Sequence, residues 1–415
     1  MPILVACDQL APGMMLAEPV VTDGRIMLQS GRPLTGEDIV ALQRRYPDMT
    51  VRIGDPLLDG NFEFEDDGAE RRIATEARQR ITRTMAVVRE RFKKQAPIGS
   101  AVCEHIGRVV HTIVEHLATY PKTAALITQN LNPQSYLGAH TSNVFYLSML
   151  LGWSVRAYVA AERRRQTRAS VLRQSVAMDL SPLGIGAFFM DVALLRAPAL
   201  FAQQEPLSHE DRCLLENHPD EGAEMLPDDL APAAKMIVRT HHETADGSGY
   251  PIGVPADKQH VFTRIVRIAD AFDAATSRGV FKQARSPVRV LREMLVGPDR
   301  HCYDKSLMKA FVRLVQPFPI GTKVQLEDGR VGLVTHYNRT NPFRPILVVS
   351  FDADGRPLPR KQIEGPVTAG EKPNLRLRAY EGEDLSFLYE PPPDSPADHS
   401  PARRPFTTLL DAFYP

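Results

Sequence analysis

From about Pro97 to Phe311 the apolar residues recur at helical spacing almost throughout, as in IGRVVHTIVEHLATY, HTSNVFYLSMLLGW and FTRIVRIADAFDAAT. Past Pro317 the period changes to short alternating runs, GTKVQL, VGLVTHY and PILVVSF, parted by Asp328-Gly329 and Asp354-Gly355 turns. This switch of period demands a mainly α fold: a central helical domain with small β-containing modules on either side. Residues 1–60 form the N-terminal one, where MLAEPVVTDGRIMLQSG reads as a hairpin around Asp23-Gly24. A short helix follows, with Thr35 as N-cap and Ile39 and Leu42 on its buried face. Residues 61–96 are a linker containing a charged helix from Ala69 to Lys94, 97–315 the helical domain, and 316–370 the second β module. Residues 371–415, with EPPPDSPADHSPARRP, read as a Pro-rich extended tail.

Lys plus Arg (50) equals Asp plus Glu (50) among 415 residues, so no global field draws the chain to nucleic acid or to a membrane. Any anionic ligand must be held locally. Cys7, Cys103, Cys213 and Cys302 form no CxxC pair, which fits a reducing cytoplasm and excludes a cysteine-based zinc site. MPILVACDQL carries an acid where a secretory signal needs an unbroken apolar core. Oligomeric state is not legible.

Chemistry gathers in the helical domain. His140, His218 and the adjacent His241 and His242 come in order along the chain with Asp191 and Asp270 among them. Imidazole with carboxylate suits Fe, Mn or Zn, and bridging carboxylates can hold two ions for phosphoester hydrolysis. A single helical histidine is more often a packing or surface residue, and His105, His111 and His116, spaced six and five apart, share no helix face. The pair His241-His242 differs because HHETADGSGYP continues into a Gly-rich turn, a surface loop in which Asp246, Gly247 and Gly249 let the backbone reverse before Tyr250 and Pro251.

That eleven-residue string resembles the HD-GYP domains, a branch of the HD metal-dependent phosphohydrolases. NHPDEGAEML, RIVRIADAFDAATS and YLGAHTSNV resemble further segments of the same family. The resemblance covers about half the chain. It implies an all-helical core, a site for divalent metal, Fe or Mn, in one or two copies, and hydrolysis of cyclic di-GMP. It also implies that His140, Asp191, His218, His241, His242 and Asp270 are the ligands, with Asp191 bridging. The exposed loop of Asp246, Gly247, Gly249, Tyr250 and Pro251 would be a docking point for a signalling protein.

The sequence departs from the family where the HD dyad and its following lysine should stand. AFFMDVALLR has Met190 for the histidine and Leu194 for the lysine. Thioether sulfur is a poor partner for these metals beside carboxylates. RGVFK replaces the family's DRPYR, leaving Gly279 where an arginine is customary and only Arg278 and Lys282 to contact phosphate. AERRRQTRAS reads as an insertion, and His209 of SHED fits a helix start better than a lost ligand. Three readings follow: a phosphodiesterase for cyclic di-GMP with weakened or lost hydrolysis, an inactive nucleotide sensor or interaction module, and a hydrolase for another phosphoester.

Overall fold

The computed structural model describes residues 2–22, 25–47, 49–54, 83–84, 86–88, 90, 99–119, 125–126, 136–166, 172–197, 200, 208–277 and 285–389. They fall into two compact units: Met1–Ala69, Leu126–Pro133 and Val315–Pro391 in one, Glu70–Ala125, Gln134–Leu314 and Pro392–Pro415 in the other.

In the first unit, β1 (Pro2–Ala6), β2 (Met15–Leu16) and β5 (Thr50–Gly54) make a sheet of order β1-β5-β2, and β3 (Val20–Thr22) pairs antiparallel with β4 (Arg25–Leu28). Helix α1 (Gly36–Arg45) opens on a capping box in which Thr35 and Asp38 satisfy each other's backbone N–H. It buries Ile39 and Leu42. The C-terminal strands β6 (Lys323–Leu326), β7 (Val331–His336), β8 (Ile346–Phe351), β9 (Glu364–Thr368), β10 (Leu377–Tyr380) and β11 (Glu383–Asp384) form one sheet, β9-β8-β7-β6-β10-β11.

Two features of this unit go beyond the sequence reading. Leu333 and Phe351 share a core with Ile3, Val5, Leu16, Leu42 and Ile53, so the two flanking β segments form one unit. The C-terminal sheet also runs past residue 370: Leu377 pairs with Leu326, and Leu375, Leu377 and Leu385 are fully buried. The apolar residues of 371–389 are few but anchor it, which a Pro-rich average conceals.

The second unit is helical: α2 (Ser100–Thr119), α3 (Tyr136–Ser154), α4 (Arg156–Gln166), α5 (Ser181–Phe189), α6 (His209–Glu224), α7 (Pro232–Thr240), α8 (Val261–Thr276), α9 (Pro287–Val296) and α10 (Lys305–Leu314). Helices α3 and α8 are buried on every side over most of their length and pack together; α3, apolar all round, has no face to give to water, whereas α8 buries Arg264, Arg267, Asp270 and Asp273 as well. Helix α5 lies against both α3 and α7. Gly186 permits the second contact, since a Cβ there would stand 2.6 Å from the Ile237 side chain. Gln174–Arg196, which contains α5, has the length and hydropathy to cross a membrane, yet 72% of its apolar window is buried inside the protein.

The described part of AERRRQTRAS, the segment read from sequence as an insertion, ends α4 and is bound to the rest of the unit. Arg264 of α8 reaches Glu162 and, at 2.5 Å, Asp304, while Arg163 donates to the carbonyls of Val176, Ala177 and Asp179. Between these arginines sits His260, whose Nδ1 accepts from the Phe262 N–H and caps α8. Burial, then the charges of Arg163 and Arg264, push its pKa down to about 4. The folded chain therefore resists a proton that the unfolded chain takes up near the ordinary value of about 6.5, and this contribution, full above that value, is lost as pH falls toward 4. A stability loss on the order of 2 kcal/mol is expected across that window, and His260→Asn, which can still cap, should flatten it in denaturant titrations.

Candidate metal centre

Each functional side chain is held by a local feature of its helix. His218 is followed within α6 by Pro219, which has no N–H to offer the carbonyl of Leu215 four residues back. His218 Nδ1 takes that carbonyl instead, at 2.5 Å. Helix α7 ends at Thr240, leaving its last carbonyls without helical donors, and His241 Nδ1 donates to Val238 O at 2.8 Å. A carbonyl can only accept, so both imidazoles carry their proton on Nδ1 and present a bare Nε2. Asp191 sits just past the end of α5, at φ −104° and ψ 20°. This is the sparsely populated bridge region where active-site residues are often found.

These groups converge. His218 Nε2 lies 3.2 Å from His241 Nε2 and 3.2 Å from Asp191 Oδ1, and His241 Nε2 lies 3.6 Å from the same oxygen. Two bare nitrogens facing each other cannot share a hydrogen bond. Ligand atoms about 2.1 Å from one ion and roughly 90–110° apart would be about 3.0–3.5 Å from each other. With His242 added, ligand atoms of Asp191, His218, His241 and His242 lie within 4.8 Å of one another, all buried. Both oxygens of Asp191 and both ring nitrogens of His242 lack a hydrogen-bond partner. Buried polar atoms are rarely left so, and a cation is what this donor set fits.

The remaining sequence-identified residues stand beside this group. Asp191 Oδ2 is 3.5 Å from His140 Nε2, which also faces Asp270 Oδ1 at 3.1 Å; Asp270 Oδ2 is 3.6 Å from His242 Nδ1. Asp191 thus turns one oxygen to each side. The adjoining position holds His140, Asp191 and Asp270, with Met190, fully buried, where the resemblance called for histidine. Leu194 is also fully buried, in an apolar cluster with Leu137, Leu200 and Leu215. Its site is a core position. Arg278, Gly279 and Lys282 lie outside the described residues.

Sequence reasoning missed Asp273 and Asn143. Asp273 accepts from His140 Nδ1 at 2.7 Å, from Asn143 Nδ2 at 2.7 Å and from the Ser277 hydroxyl at 3.1 Å, so it fixes the His140 ring from behind. The available signal was its spacing from Asp270: three residues apart on a helix places both carboxylates on one face. Burial alone would lower the His140 pKa, but its bonds to Asp270 and Asp273 outweigh that and hold it well above the ordinary value. Burial would raise Asp191, yet the surrounding imidazoles hold it well below the usual carboxylate range. Burial and the neighbouring His241 and His218 push His242 well down. Asp191 is therefore an anion and His242 a neutral base.

The loop after His242 is built to hold its shape. Glu243, wholly buried, accepts from the backbone N–H groups of Ile252, Gly253 and Val254, and Gln259 donates to the carbonyls of Thr244 and Val254. Asp246 accepts from Thr244 and Ser248, and Gly247 takes a positive φ of 83°. Asp246, Pro251, Ile252 and Gly253 are exposed, whereas Tyr250 stacks on the His242 ring with centroids 4.8 Å apart. Gly249 is where the loop touches the metal side: a Cβ there would stand 2.4 Å from His242 O and 2.4 Å from Thr244 N. Both atoms are backbone and cannot swing aside. Gly249→Ala should destabilise the protein by about 1–3 kcal/mol in urea titrations and displace Tyr250 from His242.

The HD domain family model matches residues 164–307, a span that takes in Asp191, His218, His241, His242 and Asp270. The chain is similar to a cyclic di-GMP phosphodiesterase, PA4108, of Pseudomonas aeruginosa, with 28% identity over 185 residues, 44% of each chain. It is also similar to a 3'3'-cGAMP-specific phosphodiesterase of Vibrio cholerae, 33% identical over 131 residues (31% of this chain, 24% of that one). The cyclic di-GMP phosphodiesterase PdeB of Borreliella burgdorferi is 21% identical over 163 residues (39% and 43%). The matches span less than half the length of these relatives. The HD match over residues 164–307, with HHETADGSGYP following α7, identifies an HD domain of the HD-GYP kind in the helical part of this chain.

Proposed function

We propose that the chain is a metal-dependent phosphodiesterase for a cyclic dinucleotide, cyclic di-GMP first, working from one well-formed metal position. The observation that carries this is the buried set of Asp191, His218, His241 and His242, with Asp191 ionised and its oxygens unpartnered. Nitrogen and oxygen donors without thiolate favour Fe or Mn. An ion there would supply Lewis acidity at phosphorus and lower the pKa of an attacking water. The protein's own part is to fix the ligands: Pro219 and the end of α7 set two imidazole tautomers, Asp273 orients His140, and Tyr250 covers His242.

Met190 and Leu194 support slow turnover, because Met190 leaves the second position a ligand short and Leu194, packed in an apolar cluster, offers no cation to a phosphate. The same two residues favour the second reading, a domain that binds the nucleotide without cutting it. A hydrolase for another phosphoester remains the third, and the exposed loop around Pro251 and Ile252 is where a signalling protein would dock. Cys7, Cys103, Cys213 and Cys302, each a thiol rather than half of a disulfide, support action in a reducing cytoplasm.

The test is incubation of the Mn²⁺-loaded protein with cyclic di-GMP and chromatography of the products. The enzyme reading requires a linear dinucleotide that forms with wild type and not with Asp191→Ala. Binding of the nucleotide with no cleavage by loaded protein would select the sensor.

A further inference from the structure

We infer that Arg267 is a tethered cation standing in for a second divalent ion, so that the centre takes one metal; this rests on the metal-centre reading above. Arg267 is among the largest fully buried side chains, 2% exposed, one turn before Asp270 on α8. Its Nη1 lies 3.6 Å from Asp270 Oδ2, the oxygen that also stands 3.6 Å from His242 Nδ1, and its guanidinium lies over the Tyr303 ring at 5.6 Å. The carboxylate that should complete the second position therefore already faces a fixed positive charge.

Charge balance points the same way. Asp191, Asp270 and Asp273 are 2%, 1% and 4% exposed, and an uncompensated buried charge is costly. Glu243, the other buried acid here, is engaged with the backbone N–H groups of its loop. Three buried carboxylates face one fixed guanidinium, and every divalent ion added brings two further positive charges. A second ion would meet the guanidinium across Asp270. Arg267 and Met190 thus oppose a second ion independently, one by charge and the other by a missing ligand.

The experiment separates them. Wild type, Met190→His, and the double variant Met190→His with Arg267→Met are incubated with Mn²⁺, desalted and analysed for metal per folded chain, with folding checked by circular dichroism. We expect about one ion in wild type, still about one in Met190→His, and about two in the double variant, with Arg267→Lys in the Met190→His background returning it to about one. Two ions in Met190→His overturn the assignment to Arg267, as does a folded double variant that stays at one. If Arg267→Met does not fold, the Met190→His count and the lysine variant still decide. No metal in wild type would instead sink the underlying reading.

Discussion

Asp191→Ala should abolish metal binding. Asp191 turns one oxygen toward His218 and His241 and the other toward His140. Loss of a residue that merely supports a ligand typically weakens metal affinity 10–100-fold, so loss of this shared ligand should cost at least about 100-fold. In the metal-free chain the carboxylate is buried and held ionised by the surrounding imidazoles, so its loss also costs the folded protein some stability, apart from the response to metal. A ligand at about 1,000 times its dissociation constant stabilises the folded state by about 4 kcal/mol. Thermal unfolding with and without Mn²⁺ should therefore show a large metal-induced rise for wild type and almost none for the variant. A residue needed only for packing would give the reverse: an unstable protein whose response to metal persists.

Leu194→Lys, which restores the family's residue at that position, is expected to damage the protein. Leu194 is fully buried among Leu137, Leu200 and Leu215, with Tyr136, Leu195 and Leu214 around them. A lysine there must either keep its charge without water or give up its proton, and buried lysines lose several pKa units doing so. The expected cost is about 3 kcal/mol or more, seen as a lower urea midpoint. The damage should also reach the centre, because Leu215 supplies the carbonyl that orients His218, and Tyr136 of the same cluster stacks on the His140 ring. Leu194→Lys at wild-type stability with faster turnover would show that this position opens onto substrate. The smaller change Leu194→Ala should cost about 2–4 kcal/mol through the cavity alone.

These two residues mark how far the sequence could be read. The four histidines and two aspartates were legible because the strings around them, YLGAHTSNV, AFFMDVALLR, NHPDEGAEML, HHETADGSGYP and RIVRIADAFDAATS, could be set against segments of a known family. Their meeting was not, since it depends on α3, α5, α6, α7 and α8 packing together, and no spacing within one helix encodes that. Asp273 and Asn143 escaped notice for the same reason: Asp273 meets His140 and Asn143 across 133 and 130 residues of chain. Arg267 looked like an ordinary charge on a helix, and only its near-complete burial beside Asp270 gives it significance.

For the fold, the change of apolar period located the helical domain and the C-terminal strands, and Thr35 with Asp38 marked the start of α1. Composition misled where averages hid a few anchoring residues. Leu375, Leu377 and Leu385 carry the last strands of the sheet despite polar surroundings, and Leu333 and Phe351 join a core begun by Ile3 and Val5. Pairing between segments more than two hundred residues apart is a property of tertiary packing, which local pattern does not carry.

Crystals of the protein grown with Mn²⁺ and measured at the manganese absorption edge test the central claim most directly. The account requires an anomalous peak within bonding distance, about 2.0–2.3 Å, of Asp191 Oδ1 and the Nε2 atoms of His218 and His241, with His242 beside it. A map with no peak there, or with manganese bound only at surface carboxylates, would contradict it.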